Sequence, residues 1–248
     1  MTVRGETVAA IEIKALEKDY KDVKALKGLD MVIEEGQVYG FCGPNGAGKT
    51  TTLKILVGLV RATSGEASIR GIDALNDGVE ARKHVGYLPE SYGMPRWDTP
   101  RKFLTYIGIL SGMSKADISK RIEDISGEIG LTDNLDRKIK AISKGNKQRI
   151  GIAQALIHDP EILLFDEPTT GLDPIGRNDV LDTMREYANK GKTVLFSTHI
   201  LSDVEKICDT VGIIHEGLLI EEGSPEELRK KHEAKDLDAV FLKVARHG

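Results

Sequence analysis

Three features of the 248-residue sequence predict an α/β fold built on a mainly parallel sheet. Two short, unbroken apolar runs, Ile162-Leu163-Leu164-Phe165 and Thr193-Val194-Leu195-Phe196, have the composition of strands buried on both faces. Apolar residues elsewhere recur at helical spacing: Phe103, Leu104, Ile107 and Leu110; Ile118, Ile122, Ile125 and Ile129; Ile150, Ala153 and Ile157. The strand-like stretch from Gln37 to Cys42 runs through a glycine-rich turn into the helix-like stretch from Thr52 to Leu56. Buried strands alternating with helices imply a sheet covered on both sides.

In chain order, strand-like runs cover Val8 to Ala15 and Leu26 to Glu34, separated by a charged turn that contains Tyr20. The glycine-rich turn and its helix follow. Ser64-Gly65 punctuates the chain before short strands at Glu66 to Arg70 and His84 to Leu88. Residues 99–142 read as a helical insertion, so that 1–98 and 143–248 form the two parts of one core within a single domain. Phe103 and Ile107 fit the buried side of the insertion. Trp97, just after Pro95-Arg96, is the better candidate for an exposed aromatic facing a partner. A helix starting near Ser143 is stopped by Asp159-Pro160. Short strands around Gly217 and a charged helix from Pro225 close the chain, with no internal repeat or long linker.

A chain of this length can bury a substantial core. Its 40% hydrophobic and 30% charged residues are ordinary for a soluble protein. The net charge of -4 gives no support for non-specific binding to nucleic acid, and no nucleic-acid partner is expected. Cys42 and Cys208 have neither CxxC nor zinc spacing and fit buried thiols in a reducing compartment. The start, Met1-Thr2-Val3-Arg4-Gly5-Glu6, does not read as a signal segment. No apolar run approaches the roughly 18 residues that span a bilayer. A cytoplasmic protein is expected, reaching a membrane only through a partner.

Gly43-Pro44-Asn45-Gly46-Ala47-Gly48-Lys49-Thr50-Thr51 has the pattern GxxxxGK[ST], between strand and helix as a phosphate-binding loop requires. Its glycines let successive N–H groups point inward, at the positive end of a helix dipole. Lys49 would reach the β- and γ-phosphates of a nucleoside triphosphate, and the Thr50 hydroxyl would ligate Mg2+. Asp166 and Glu167 end the apolar run that starts at Ile162. On their own they are equally a solvated strand end or a helix cap. Beside a phosphate loop, Asp166 would hold Mg2+ through a water, and Glu167 would act as general base toward the attacking water. His199 follows Phe196-Ser197-Thr198, beyond a parallel strand where open α/β sheets bind ligands. A structural histidine fits that position; so does a donor to the γ-phosphate.

Together these residues resemble the ATP-binding subunits of ABC transporters, almost end to end. The loop at Gly43 to Thr51 is similar to the family's Walker A and Ile162 to Glu167 to its Walker B. Thr170-Gly171-Leu172-Asp173 resembles the D-loop, and His199 the switch histidine. Tyr20 lies where the family has an aromatic that stacks on adenine, although alone it would be an ordinary surface residue. Ile142-Ser143-Lys144-Gly145-Asn146 resembles the signature, usually LSGGQ, which caps the γ-phosphate bound to an opposite subunit. Ser143 is also a natural N-cap for the helix after it, and both roles can hold. The resemblance implies a P-loop NTPase (RecA-like) core, an N-terminal antiparallel β subdomain and an inserted α-helical subdomain. It implies ATP and Mg2+ at the site, a head-to-tail dimer with a second ATP-binding subunit, and a separately encoded transmembrane permease. Ser143, Lys144, Gly145, Asn146 and Asp173 would then act in trans.

Two departures mark a branch. Lys144 replaces a signature glycine and Asn146 its glutamine, and Gly86-Tyr87-Leu88-Pro89-Glu90 puts Glu90 where a glutamine usually meets the metal. A glutamate still offers oxygen to Mg2+, and Lys144 of an opposite subunit would offset its charge. These variants, with Asp238 to Leu242, resemble subunits that serve ABC-2-type exporters. The insertion with the Glu90 loop would form the permease-docking groove. A soluble ABC-type ATPase with a non-transport partner and a nucleotide-binding regulator with weak catalysis remain as alternatives.

Overall fold

The computed structural model describes residues 9–91 and 93–245. The expected start of the first strand at Val8 lies outside them. Strand β1 (Ala9–Tyr20) pairs antiparallel with β2 (Val23–Glu34), so both run further than expected and Tyr20 ends a strand instead of sitting in the turn. The cause is irregular register: shifts between Ile13 and Lys18, with Ala15 at φ 45°, break the alternation by which a strand is recognised. Next come β3 (Val38–Cys42), α1 (Lys49–Leu56), β4 (Ser64–Ile69), β5 (Ile72–Asp73), α2 (Gly78–Arg82) and β6 (Val85–Leu88). Helices α3 (Pro100–Leu110), α4 (Lys115–Glu128) and α5 (Lys144–Leu156) follow. The chain continues through β7 (Ile162–Asp166), α6 (Pro174–Asn189), β8 (Thr193–Thr198) and α7 (Leu201–Ile207). It ends with β9 (Thr210–His215), β10 (Leu218–Gly223), α8 (Pro225–Lys231) and α9 (Leu237–Val244).

Two sheets result. One is antiparallel, in the order β2-β1-β4-β5; the other, β10-β9-β3-β8-β7-β6, is parallel except for β10. Alternation along the parallel strands divides the interior into two cores. Leu163, Phe165, Val194 and Phe196 join the helices of the 100–157 region and α6 in one. Ile162, Leu164, Leu195, Tyr39 and Phe41 join α1 and the antiparallel sheet in the other. Burying each such side chain contributes about 1.5–3 kcal/mol, so sheet position is fixed from both faces.

In the insertion, α3 buries Leu104 and Gly108, and a Cβ on Gly108 would lie 2.7 Å from Ile118 of α4. Phe103 and Ile107 pack partly buried against the core, as expected. Leu110 does not: it is 66% exposed, because the close approach at Gly108 turns the 104/108 face inward. Among the described residues, no helix is long and apolar enough to cross a membrane.

Candidate nucleotide site

The phosphate loop connects β3 to α1 at the ends of the parallel strands. A Cβ on Gly43 would collide with the carbonyl oxygen of Ile214 in β9, so the loop packs flush on the neighbouring strand. Gly48 is the N-cap of α1 at φ 114°, a conformation that favours glycine, and no side chain caps the helix. The N–H groups of the first turn are thus available to an anion. Beneath Gly48 lies β2: a Cβ there would sit 2.7 Å from the Ala25 carbonyl. Gly217 N–H donates to the Ala47 carbonyl at 3.0 Å, and Lys27 N–H to the Gly217 carbonyl at 2.9 Å. The hairpin that ends at Tyr20 is therefore tied to the phosphate loop.

Lys49 is buried, and its Nζ donates to the carbonyls of Gly43 (2.7 Å) and Pro44 (3.1 Å). The same Nζ stands 3.5 Å from Oε1 of buried Glu167. Thr50 Oγ1 donates to Asp166 Oδ1 at 2.9 Å, and Ser197 Oγ donates to the same oxygen at 2.6 Å. Asp166 Oδ2 is buried without a hydrogen-bond partner. An unpartnered carboxylate oxygen beside a threonine hydroxyl is a donor set that a hard cation fits. Asn45, Gly46, Lys49, Thr50 and Thr51 line a cavity of about 220 Å³, whose wall Glu90 and Glu167 complete. Burial pushes the thiol of Cys42, directly before the loop, up to about 12, which makes it a packing residue.

Glu167 is the most constrained residue of the site. Its φ of 49° is left-handed, a conformation that costs a non-glycine residue on the order of 1–3 kcal/mol. Its N–H donates to Ser197 Oγ (3.0 Å) and the Ser197 carbonyl (3.1 Å). Thr170 Oγ1 donates to Oε2 at 2.9 Å, and His199 Nδ1 lies 2.8 Å from the same oxygen. A carboxylate can only accept, so Nδ1 carries the proton in this pair.

The other expected residues lie apart from the phosphate cavity. Tyr20 is 43% exposed at the hairpin end, with Lys18 Nζ 4.8 Å from its ring centre. Ser143 caps α5 by accepting from Asn146 N–H at 3.4 Å, and Asp173 caps α6 by accepting from Gly176 N–H at 2.8 Å. Lys144 lies over Gly171 of its own chain, where a Cβ would collide with Nζ. None of Ser143, Lys144, Gly145, Asn146 or Asp173 lines the cavity.

Residues 26–170 match the family model described as ABC transporter. The chain belongs to the ABC transporter family. It is 39% identical to the ABC transporter ATP-binding protein NatA of Bacillus subtilis (strain 168), over 90% of this chain and 91% of that protein. With Nod factor export ATP-binding protein I of Burkholderia lata it shares 36% identity, covering 94% and 77% respectively. A solved ATP-binding subunit of an ABC transporter superposes with a TM-score of 0.85 at 30% identity, over 95% of this chain and 99% of that one. A dimeric ATP-binding cassette in a post-hydrolysis state, bound to ADP and Pi, gives 0.78 at 26% identity, over 86% and 98%.

As an ABC ATP-binding subunit, the chain carries site residues that the motifs alone did not single out. Ser197 bridges both acidic residues, and the available signal was a polar residue inside a buried strand. Gln148 Nε2 donates to the Pro168 carbonyl at 2.6 Å, fastening the signature helix to the segment after Glu167. Nothing in residue spacing marks that contact.

Proposed function

We propose that this chain is the ATP-hydrolysing subunit of an ABC-2-type exporter, working in the cytoplasm on the inner face of a membrane through a separately encoded permease. The observation that carries the reading is the incompleteness of the phosphate cavity. Lys49, Thr50, Glu90 and Glu167 line it and Asp166 accepts from the Thr50 hydroxyl, while Ser143 to Asn146 and Asp173 do not line it. A second copy, head to tail, would bring its signature and D-loop over the γ-phosphate held by the first.

In this reading the N–H groups of the loop and Lys49 hold the β- and γ-phosphates, and Tyr20 stacks on the adenine. Thr50, Asp166 and Glu90 would hold Mg2+, which when bound neutralises phosphate charge. Glu167 takes a proton from the water whose oxygen attacks the γ-phosphorus; the bond from that phosphorus to the β–γ bridging oxygen breaks, and ADP departs. His199 orients Glu167 through Oε2 and would respond to loss of the γ-phosphate. Loss of the bridge between subunits lets the dimer separate, and the permease follows. Trp97, 71% exposed with Lys140 Nζ 3.8 Å from its ring centre, lies at the edge of the insertion and suits the permease-facing surface.

The test is turnover against protein concentration, with Glu167→Gln alongside. Turnover per molecule should rise with concentration while the dimer assembles, and Glu167→Gln should form an ATP-stabilised dimer that does not hydrolyse. Turnover strictly proportional to concentration in the monomeric range would overturn the reading.

A further inference from the structure

Asp203 is 1% exposed, and both of its carboxylate oxygens are taken. Thr169 Oγ1, itself buried, donates to Oδ2 at 2.7 Å, and Arg177 Nε donates to Oδ1. Arg177 also reaches Ser202 Oγ at 2.8 Å. A carboxylate this buried is tolerated only when charge and hydrogen bonds are both matched, so the three elements that match it are held in one geometry. Those elements are α7, which starts two residues after His199; the 167–173 segment, through Thr169; and the first turn of α6, through Arg177. The neighbour of Thr169, Thr170, donates to Glu167, and the same segment ends in Asp173, the cap of α6.

We infer that Asp203 is a positioning residue that makes the His199 end of α7, the catalytic carboxylate segment and Asp173 move as one body. Resting on the dimeric ATPase reading above, this gives the nucleotide site of one subunit a mechanical line to the residue it presents to the other. His199 and Glu167 respond to the γ-phosphate in their own site. Asp203 carries that displacement to Asp173 through two hydrogen-bonded contacts in addition to the 167–173 backbone. The sequence carries no hint of the link, since Thr169, Arg177 and Asp203 belong to three separate elements.

The test cuts the link on the loop side. Thr169→Val keeps the shape and removes the donor to Asp203; Thr169→Ser keeps the donor. For Thr169→Val, KM for ATP should stay within about twofold, kcat should fall about tenfold or more, and the Hill coefficient for ATP should drop toward one. Thr169→Ser should restore all three, and Arg177→Gln should resemble Thr169→Val. A folded Thr169→Val protein with parental kcat and Hill coefficient would overturn the inference. Hydrogen–deuterium exchange with Mg-ATP on Glu167→Gln protein decides it without turnover. Amides of 169–173 and 200–205 should gain protection together, and only those of 200–205 once Thr169→Val is added. Protection of both segments in the double variant counts against the link. A parental protein that binds ATP but never hydrolyses it would sink the ATPase reading alone, leaving exchange to judge the link.

Discussion

His199 Nδ1 and Glu167 Oε2 are 2.8 Å apart, while the other oxygen of the same carboxylate stands 3.5 Å from Lys49 Nζ. One carboxylate therefore bridges the phosphate-loop lysine and the histidine at the end of β8. A γ-phosphate arriving at this loop would compete with Glu167 for Lys49, because both are anions at one buried cation. In the proposed function, nucleotide binding would free the Oε1 edge of Glu167 toward a water, while His199 and Thr170 keep hold of Oε2.

The pair predicts how His199→Ala will behave. Glu167 keeps its backbone anchors on Ser197 but loses one of its two Oε2 partners, so the proposed base is present and poorly aimed. ATP affinity should change little, while kcat falls on the order of 10²-fold, the lower end of what a positioned base contributes. Single-turnover phosphate release beside nucleotide titration separates the two. A variant that weakens ATP binding and leaves the chemical step intact would assign His199 to binding instead.

Glu90 makes a second prediction through charge. It shares the cavity wall with Lys49, Thr50 and Glu167. Replacing it by glutamine keeps an oxygen and removes a negative charge beside the triphosphate. ATP without Mg2+ should then bind more tightly, and the Mg2+ concentration giving half-maximal turnover should rise several-fold. An unchanged Mg2+ titration would place Glu90 outside the metal's surroundings.

Much of this site was readable because its residues are consecutive. Gly43 to Thr51 and Asp166-Glu167 carry their chemistry in local order, and the buried strands before them are unbroken apolar runs. The antiparallel hairpin was only half legible, since its bulges replace alternation with runs of lysine and glutamate that look like loop. Short elements such as α2 and β5 offered too few residues for a period to show. Ser197, Gln148 and Asp203 act across the fold, and a partner brought close by folding leaves no spacing in the chain. Lys144 is the instructive case. Its identity pointed to an opposite subunit, and folding also brings it over Gly171 of its own 167–173 segment, a contact that no spacing in the sequence announces.

Gly43 predicts a steric effect separable from chemistry. A methyl at this position meets the Ile214 carbonyl, which is backbone of a central strand and has nowhere to move. Gly43→Ala should cost about 1–3 kcal/mol, the range of overpacking in a close-packed interior, and weaken ATP binding because the loop lifts off β9. Denaturant midpoints and nucleotide titration should move together. Loss of ATP affinity at parental stability would mean that the loop absorbs the methyl without leaving β9.

Asp209 predicts a pH dependence whose origin is far from the phosphates yet governs the strand that delivers the loop. Its Oδ2 accepts from Val38 N–H, the first residue of β3, at 2.8 Å, and Arg185 of α6 donates to both oxygens. Partial burial pushes the carboxyl upward, but Arg185 and the Val38 N–H outweigh it and hold it below the usual carboxylate range. A group lowered in the folded state stabilises fully above its unfolded value, about 3.9 for aspartate, and that stability is lost as pH falls through the folded value. Asp209→Asn should therefore have a lower urea midpoint than the parent at pH 7 and at pH 5, by the same margin. Below about pH 4 the two midpoints should converge, as the parent's own Asp209 takes up a proton. A margin that persists undiminished to pH 3 would show that the carboxylate's charge is not what holds β3 in place.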